Sequence, residues 1–126
     1  MNKEIVVLLV ALAISGCSSV VVEDGTPAQY SWAQRSLEAT LDQPIAKVDQ
    51  ATRKALRDLK LGGIAGVVDE LQGDISAQLA SGKKVRIKLK AVGSDQTRVR
   101  IKIGTVGDKT SAEQIMRRIQ KELSPD

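Results

Sequence analysis

The chain has 126 residues, 42% of them hydrophobic and 27% charged, and a net charge of +4. That composition suits one globular domain rather than a disordered chain or a membrane bundle. With no histidine and one cysteine, a disulfide framework, His-based acid–base catalysis and thiol or zinc chemistry in the folded domain are excluded.

The one cysteine closes the first element. Met1 to Glu4 form a short charged head, Ile5 to Ile14 an apolar run, and Ser15-Gly16-Cys17 follow. The run is shorter than the roughly 20 residues that span a bilayer and has the layout of a secretory signal. Ile14-Ser15-Gly16-Cys17 resembles the bacterial lipobox, in which the Cys thiol takes a diacylglycerol and the chain is cut before it. The expectation is a signal peptide over 1–16 and a lipidated Cys17, with diacylglycerol and an N-acyl chain as its only covalent groups and no other cofactor. Removing 1–16 takes one Lys and one Glu and leaves the charge at +4. Ser18 resembles the default for the outer membrane, on the periplasmic face, in a host with two membranes. Residues 17–30 read as a flexible tether in which Val20 to Val22 either touch the membrane or dock on the domain.

The remainder, 31–126, reads as a single α+β domain. Leu37, Ala39 and Leu41 alternate with Glu38 and Thr40, a half-buried strand. Pro44 stands at a first helical position. Ile45, Val48, Thr52, Leu56 and Leu59, with Ala51 and Ala55, form an apolar helical stripe that Gly62-Gly63 should end. Residues 61–68 read as a short buried strand and Asp69-Glu70 as a turn. Leu71, Gly73, Ile75, Ala77 and Leu79 alternate with polar residues up to a turn at Ser81-Gly82-Lys83. Val85, Ile87, Leu89 and Ala91 then share one face of a strand, and Val99, Ile101 and Ile103 one face of the next, around Gly93-Ser94-Asp95. Keeping both apolar sets on one face requires paired numbers with an even sum. A sum of 188 sets Lys90 opposite Arg98, Lys88 opposite Arg100 and Arg86 opposite Lys102. On the neighbouring strand Asp74 would face Lys90. Ala112, Ile115, Ile119 and Leu123 mark a last helix, capped by a Thr110–Glu113 box or by Asp108. The expected fold is therefore a curved antiparallel sheet of four to five strands packed on two helices, in the order strand, helix, four strands, helix.

The lipobox, "SLEATLDQPIAKVDQATRKALRDLKL", "GDISAQLASGKKVRIKLKAV" and "TRVRIKIGTVGDKTSAEQIMRRIQKEL" together resemble a family of small bacterial lipoproteins catalogued only as a domain of unknown function. The resemblance implies a fold similar to helix-grip proteins of the Bet v 1 type, a curved sheet wrapping a long helix. An aromatic residue and a glycine often precede the first strand in that pattern. Trp32 or Tyr30 fills the aromatic place, and Arg35 stands near that of the glycine. No catalytic residue comes with the family.

Two surfaces are candidates. Lys84, Arg86, Lys88, Lys90, Arg98, Arg100 and Lys102 fall on one face of a hairpin, and like charges directly opposed destabilise a strand pair. A bound anion would relieve them: a phospholipid headgroup, a lipopolysaccharide phosphate or a cell-wall carboxylate. The plainer reading is a solvated face that keeps the sheet soluble. On the inner face, Gly73, Ala77 and Ala91 are small and would either line an apolar cavity or let the helix pack closer. Ser81 and Lys83 fall in a turn, read as exposed. No catalytic or metal site is expected. Nucleic acid is not expected, because no aromatics interleave the charges for stacking. The function expected is a non-catalytic binding or structural module of the cell envelope, held to the membrane by lipid, with an anionic envelope component or another envelope protein as partner. The alternative is a carrier or sensor of a small apolar ligand. Nothing in the sequence sets the oligomeric state.

Overall fold

The computed structural model describes residues 28–124. The signal segment, Cys17 and Val20 to Val22 lie outside the described residues. The chain runs β1 (Ala28–Ser31), β2 (Ser36–Leu41), α1 (Ile45–Asp58), β3 (Gly62–Val68), β4 (Gln72–Gln78), β5 (Lys84–Gly93), β6 (Gln96–Ile103) and α2 (Lys109–Leu123). The strands make one antiparallel sheet in the order β1-β2-β6-β5-β4-β3.

The α+β class and the two helices are as expected, but the sheet has six strands rather than four or five, and the chain enters through two strands. The extra strand is β1. Its four residues are too few to show a period, yet Ala28 and Tyr30 pair with Ala39 and Leu37 and extend their inward face. Ala28 to Tyr30, assigned above to the tether, thus belong to the sheet.

Alternation decides which face is inside. Leu37, Ile75, Val85, Ile87, Leu89, Val99, Ile101 and Ile103 are all buried. Val48, Ala55 and Leu56 of α1 and Ile115, Met116 and Ile119 of α2 close over them. Both helices contact the sheet and each other, so they share one layer. Lys54, Asp58, Arg118 and Glu122 join them at the surface, with Arg118 Nη2 3.1 Å from Asp58 and Lys54 Nζ 3.4 Å from Glu122.

The β5–β6 register is the expected one, with Arg86 opposite Lys102, Lys88 opposite Arg100 and Lys90 opposite Arg98. Past Ala91 a bulge shortens the turn to Ser94-Asp95. On β4 the expectation needs correction: Asp74 faces Lys88, and Gln72 faces Lys90. The Leu79–Lys83 turn, closed by Leu79 N–H to the Lys83 carbonyl at 2.9 Å, sets Gln78 against Lys84 and carries the register down the strand.

Two helix ends also differ from expectation. Pro44 is the extended N-cap of α1 rather than its first helical residue. The helix stops at Leu59, ahead of Gly62-Gly63, because Lys60 adopts φ +65°. Lys60 N–H then donates to Arg57 and Leu61 N–H to Leu56, the paired bonds of a Schellman ending. At α2 the cap is Asp108, which accepts from Ser111 N–H at 3.0 Å, so the Thr110–Glu113 box is not the one used.

Candidate functional site

With both described helices on the inner face, none of the described elements covers the outer face of the sheet. Each strand contributes every second residue to it: Glu38 and Thr40 from β2, Arg98, Arg100 and Lys102 from β6, Lys84, Arg86, Lys88 and Lys90 from β5, Asp74 and Ser76 from β4. All seven hairpin cations therefore share this face, beside two carboxylates.

The carboxylates divide the face. Glu38 Oε2 lies 3.3 Å from Arg100 Nη2 and 3.8 Å from Arg98 Nε. Asp74 stands across the strand pair from Lys88. These groups border an open depression of about 470 Å³ with Lys90 on its rim. Toward the start of β5 no carboxylate lines the face among the described residues. An open depression of about 600 Å³ there is lined by Arg35, Lys84, Arg86, Lys102, Gly104 and Thr105. A second, of about 390 Å³, adjoins it along Arg35, Arg86, Lys88, Arg100 and Lys102. Among the described residues, Lys84, Arg86, Lys88, Lys90 and Lys102 have no ion pair.

Arg35 is the residue that sequence reasoning missed as part of this face. It ends the turn between β1 and β2 with φ +56°, a conformation that glycine takes without steric cost and a branched residue does not. Its place near the glycine that the resemblance implied was the available signal. Two contacts hold it there. Arg35 Nη1 donates to the Thr105 carbonyl at 3.0 Å. Gly107, itself at φ +90°, comes so close that a side chain at 107 would strike the Tyr30 hydroxyl and the Arg35 Cβ. The β1–β2 turn and the β6–α2 loop are thereby fixed together, and Arg35 stands over the end of the cation ladder.

Of the inner-face candidates, Gly73 also borders the depression of about 470 Å³, while Ala77 and Ala91 line none of the three depressions. Gly73 and Ala77 are buried and Ala91 is half-buried. Val68 occupies the space where Gly73 would carry a side chain. Ser81 is exposed in its turn, and Lys83 pairs with Asp108 at 3.3 Å. No cluster of three or more metal-ligating side chains occurs among the described residues. Among the same residues, no helix is long and apolar enough to cross a membrane.

A family model described as a protein of unknown function matches residues 3–122 of the chain. A search of curated proteins found no match.

Proposed function

The chain belongs to that family of unknown function, DUF3568, and because membership brings no activity with it we propose a role from the site itself: a lipid-anchored envelope protein whose outer sheet face holds phosphate-bearing anionic lipid. The observation that carries this reading is the corner of Arg35, Lys84, Arg86 and Lys102, where no carboxylate lines the depression and no helix covers the face among the described residues. Cations forced into opposed pairs repel one another, and an anion between them removes that cost. Arginine suits the task because its planar fork matches phosphate oxygens two at a time. The domain is read as non-catalytic. Its address is read from residues 1–17, with Cys17 acylated and the outer membrane, periplasmic face, as destination. Two or more acyl chains suffice for stable anchoring without a spanning helix.

The helix-grip likeness would favour the other reading, an apolar ligand between sheet and helices lined by Gly73, Ala77 and Ala91. Val68 beside Gly73 and the complete burial of Val48, Leu56, Met116 and Ile119 favour close packing there, so the anion reading is preferred.

Two experiments test the proposal. Cys17→Ser should leave the precursor uncut or release it from membranes; unchanged processing and unchanged membrane fractionation would end the lipoprotein reading. A chain starting at Gly25 should sediment with anionic vesicles at low salt and lose them as salt rises, since surface charges are screened within about 10 Å at 0.1 M. Each Lys or Arg near such a surface contributes on the order of 1 kcal/mol. Arg86→Gln with Lys102→Gln should therefore weaken binding by roughly thirtyfold, with the fold intact by circular dichroism. Binding that is insensitive to salt, or to the double substitution, would leave the ladder a solvated face.

A further inference from the structure

The two ends of the sheet differ in charge, while both carry exposed apolar side chains: Trp32 and Val106 at one, Val67, Leu71 and Val92 at the other. At one end lie the β1–β2 turn, the Leu79–Lys83 turn, the Leu59–Leu61 connection and the β6–α2 loop. These carry Arg35, Lys60 and Lys83 against one carboxylate, Asp108, which is engaged by Ser111 and Lys83. At the other end the connections at 42–44, 69–71 and 94–95 carry Asp42, Asp69, Glu70 and Asp95 and no Lys or Arg.

Trp32 and Val106 project from the basic end, 70% and 74% exposed. Single exposed apolar residues are ordinary, but these two stand on loops bound to each other. Arg35, in the turn of Trp32, donates to the carbonyl of Thr105, next to Val106. The Trp32 ring is held at its base, edge-on to Tyr30 with centroids 4.8 Å apart, and the Lys109 ammonium lies 5.8 Å from its centroid. Indole rings and flanking cations are the side chains that settle at the headgroup level of a bilayer.

We infer that this end is where the domain enters a membrane interface, with Trp32 and Val106 among the headgroups of an anionic bilayer. The inference rests on the lipid-anchored reading and adds the orientation: the domain stands on its basic end, and its acidic end points away. Charge complementarity selects the end, since an anionic surface attracts the loops beside Trp32 and repels those beside Leu71. The chain outside the structure permits it. Ten residues separate Cys17 from Ala28, a span of up to about 35 Å, enough to bring either end of the sheet to the bilayer.

Trp32 is the only tryptophan, so its emission reports on this end alone. The full chain, held on vesicles by its own N-terminal segment, should show Trp32 emission moved to shorter wavelength when the vesicles contain anionic phospholipid. Lipids brominated near the headgroup should quench it. Salt and Val106→Asp should each reverse the shift, whereas Leu71→Asp, at the acidic end, should leave it unchanged. A chain that sediments with anionic vesicles while Trp32 emits as in water overturns the inference, as does an equal shift on zwitterionic vesicles. Either result can occur with the salt-dependent binding of the chain from Gly25 intact, so the two proposals fail separately.

Discussion

Asp108 shows how one side chain sets both an element and a charge. Its Oδ1 accepts from Ser111 N–H at 3.0 Å, and its Oδ2 meets the Ser111 hydroxyl at 2.9 Å and Lys83 Nζ at 3.3 Å. The Ser111 N–H, then the Ser111 hydroxyl and Lys83, hold its carboxyl below the usual carboxylate range. A carboxyl with a lowered folded pKa contributes stability that is complete above its unfolded value, near 3.9, and lost as pH falls through the folded one. Asp69, lowered by the N–H groups of Gln72 and Leu71, acts in the same direction. Asp108→Ala should cost about 1 kcal/mol, the usual value of an N-cap. Asp108→Asn keeps a capping oxygen and drops the charge. It should lie between Ala and wild type at neutral pH and approach wild type in acid. Urea midpoints measured from pH 6 to pH 2 check this; a gap between Asn and wild type that widens in acid would reverse the assignment. Asp108 was one of two caps that the sequence allowed. The two bonds from Ser111 to Asp108 mark it as the cap used, and residue type alone does not choose between the two candidates.

Among the elements, the long periodic ones were legible, and the aperiodic stretch 61–68 was rightly read as a strand but wrongly as buried, since β3 is an edge strand with mostly exposed residues. Leu37 to Leu41, Val85 to Ala91 and Val99 to Ile103 alternate cleanly, and parity together with a short turn at Gly93-Ser94-Asp95 then gave the β5–β6 pairing that places Lys88 against Arg100. β1 escaped because four residues after a proline carry no period; its pairing depends on a turn whose Arg35 takes φ +56°. The β4 register was off by one pair, since the hydrogen bonds that close the Leu79–Lys83 turn are not written in residue type. The end of α1 was misplaced for a related reason: glycines at 62 and 63 suggested the stop, and a lysine takes the left-handed position instead. Lys60 is therefore a site where glycine should do better. Lys60→Gly should raise stability by about 1 kcal/mol, because the left-handed conformation costs an L-residue that much and glycine nearly nothing. Thermal melts decide it. A lower melting temperature would mean that the Lys60 side chain contributes more than its backbone strain costs.

At the scale of the whole molecule, the fold separates packing from charge. Among the described residues, one face of the sheet is closed by two helices and built from aliphatic side chains, and the other is uncovered and carries the cation ladder. The ladder was readable from the sequence because alternation exposes every second residue. Its division was not: Glu38 and Asp74 are brought beside it by strand pairing, and Arg35 by a turn, so the carboxylate-free corner exists only in three dimensions. The central claim is that this corner holds anionic lipid. The most direct measurement is backbone amide NMR of the chain from Gly25 with a short-chain anionic phospholipid below its micellar concentration. The largest shifts should fall at Arg35, Lys84, Arg86, Lys102 and Thr105, and Arg86→Gln with Lys102→Gln should remove them. Shifts centred on Ala77 and Ala91, or on the facing residues of α1 and α2, would contradict the account and place the ligand between sheet and helices.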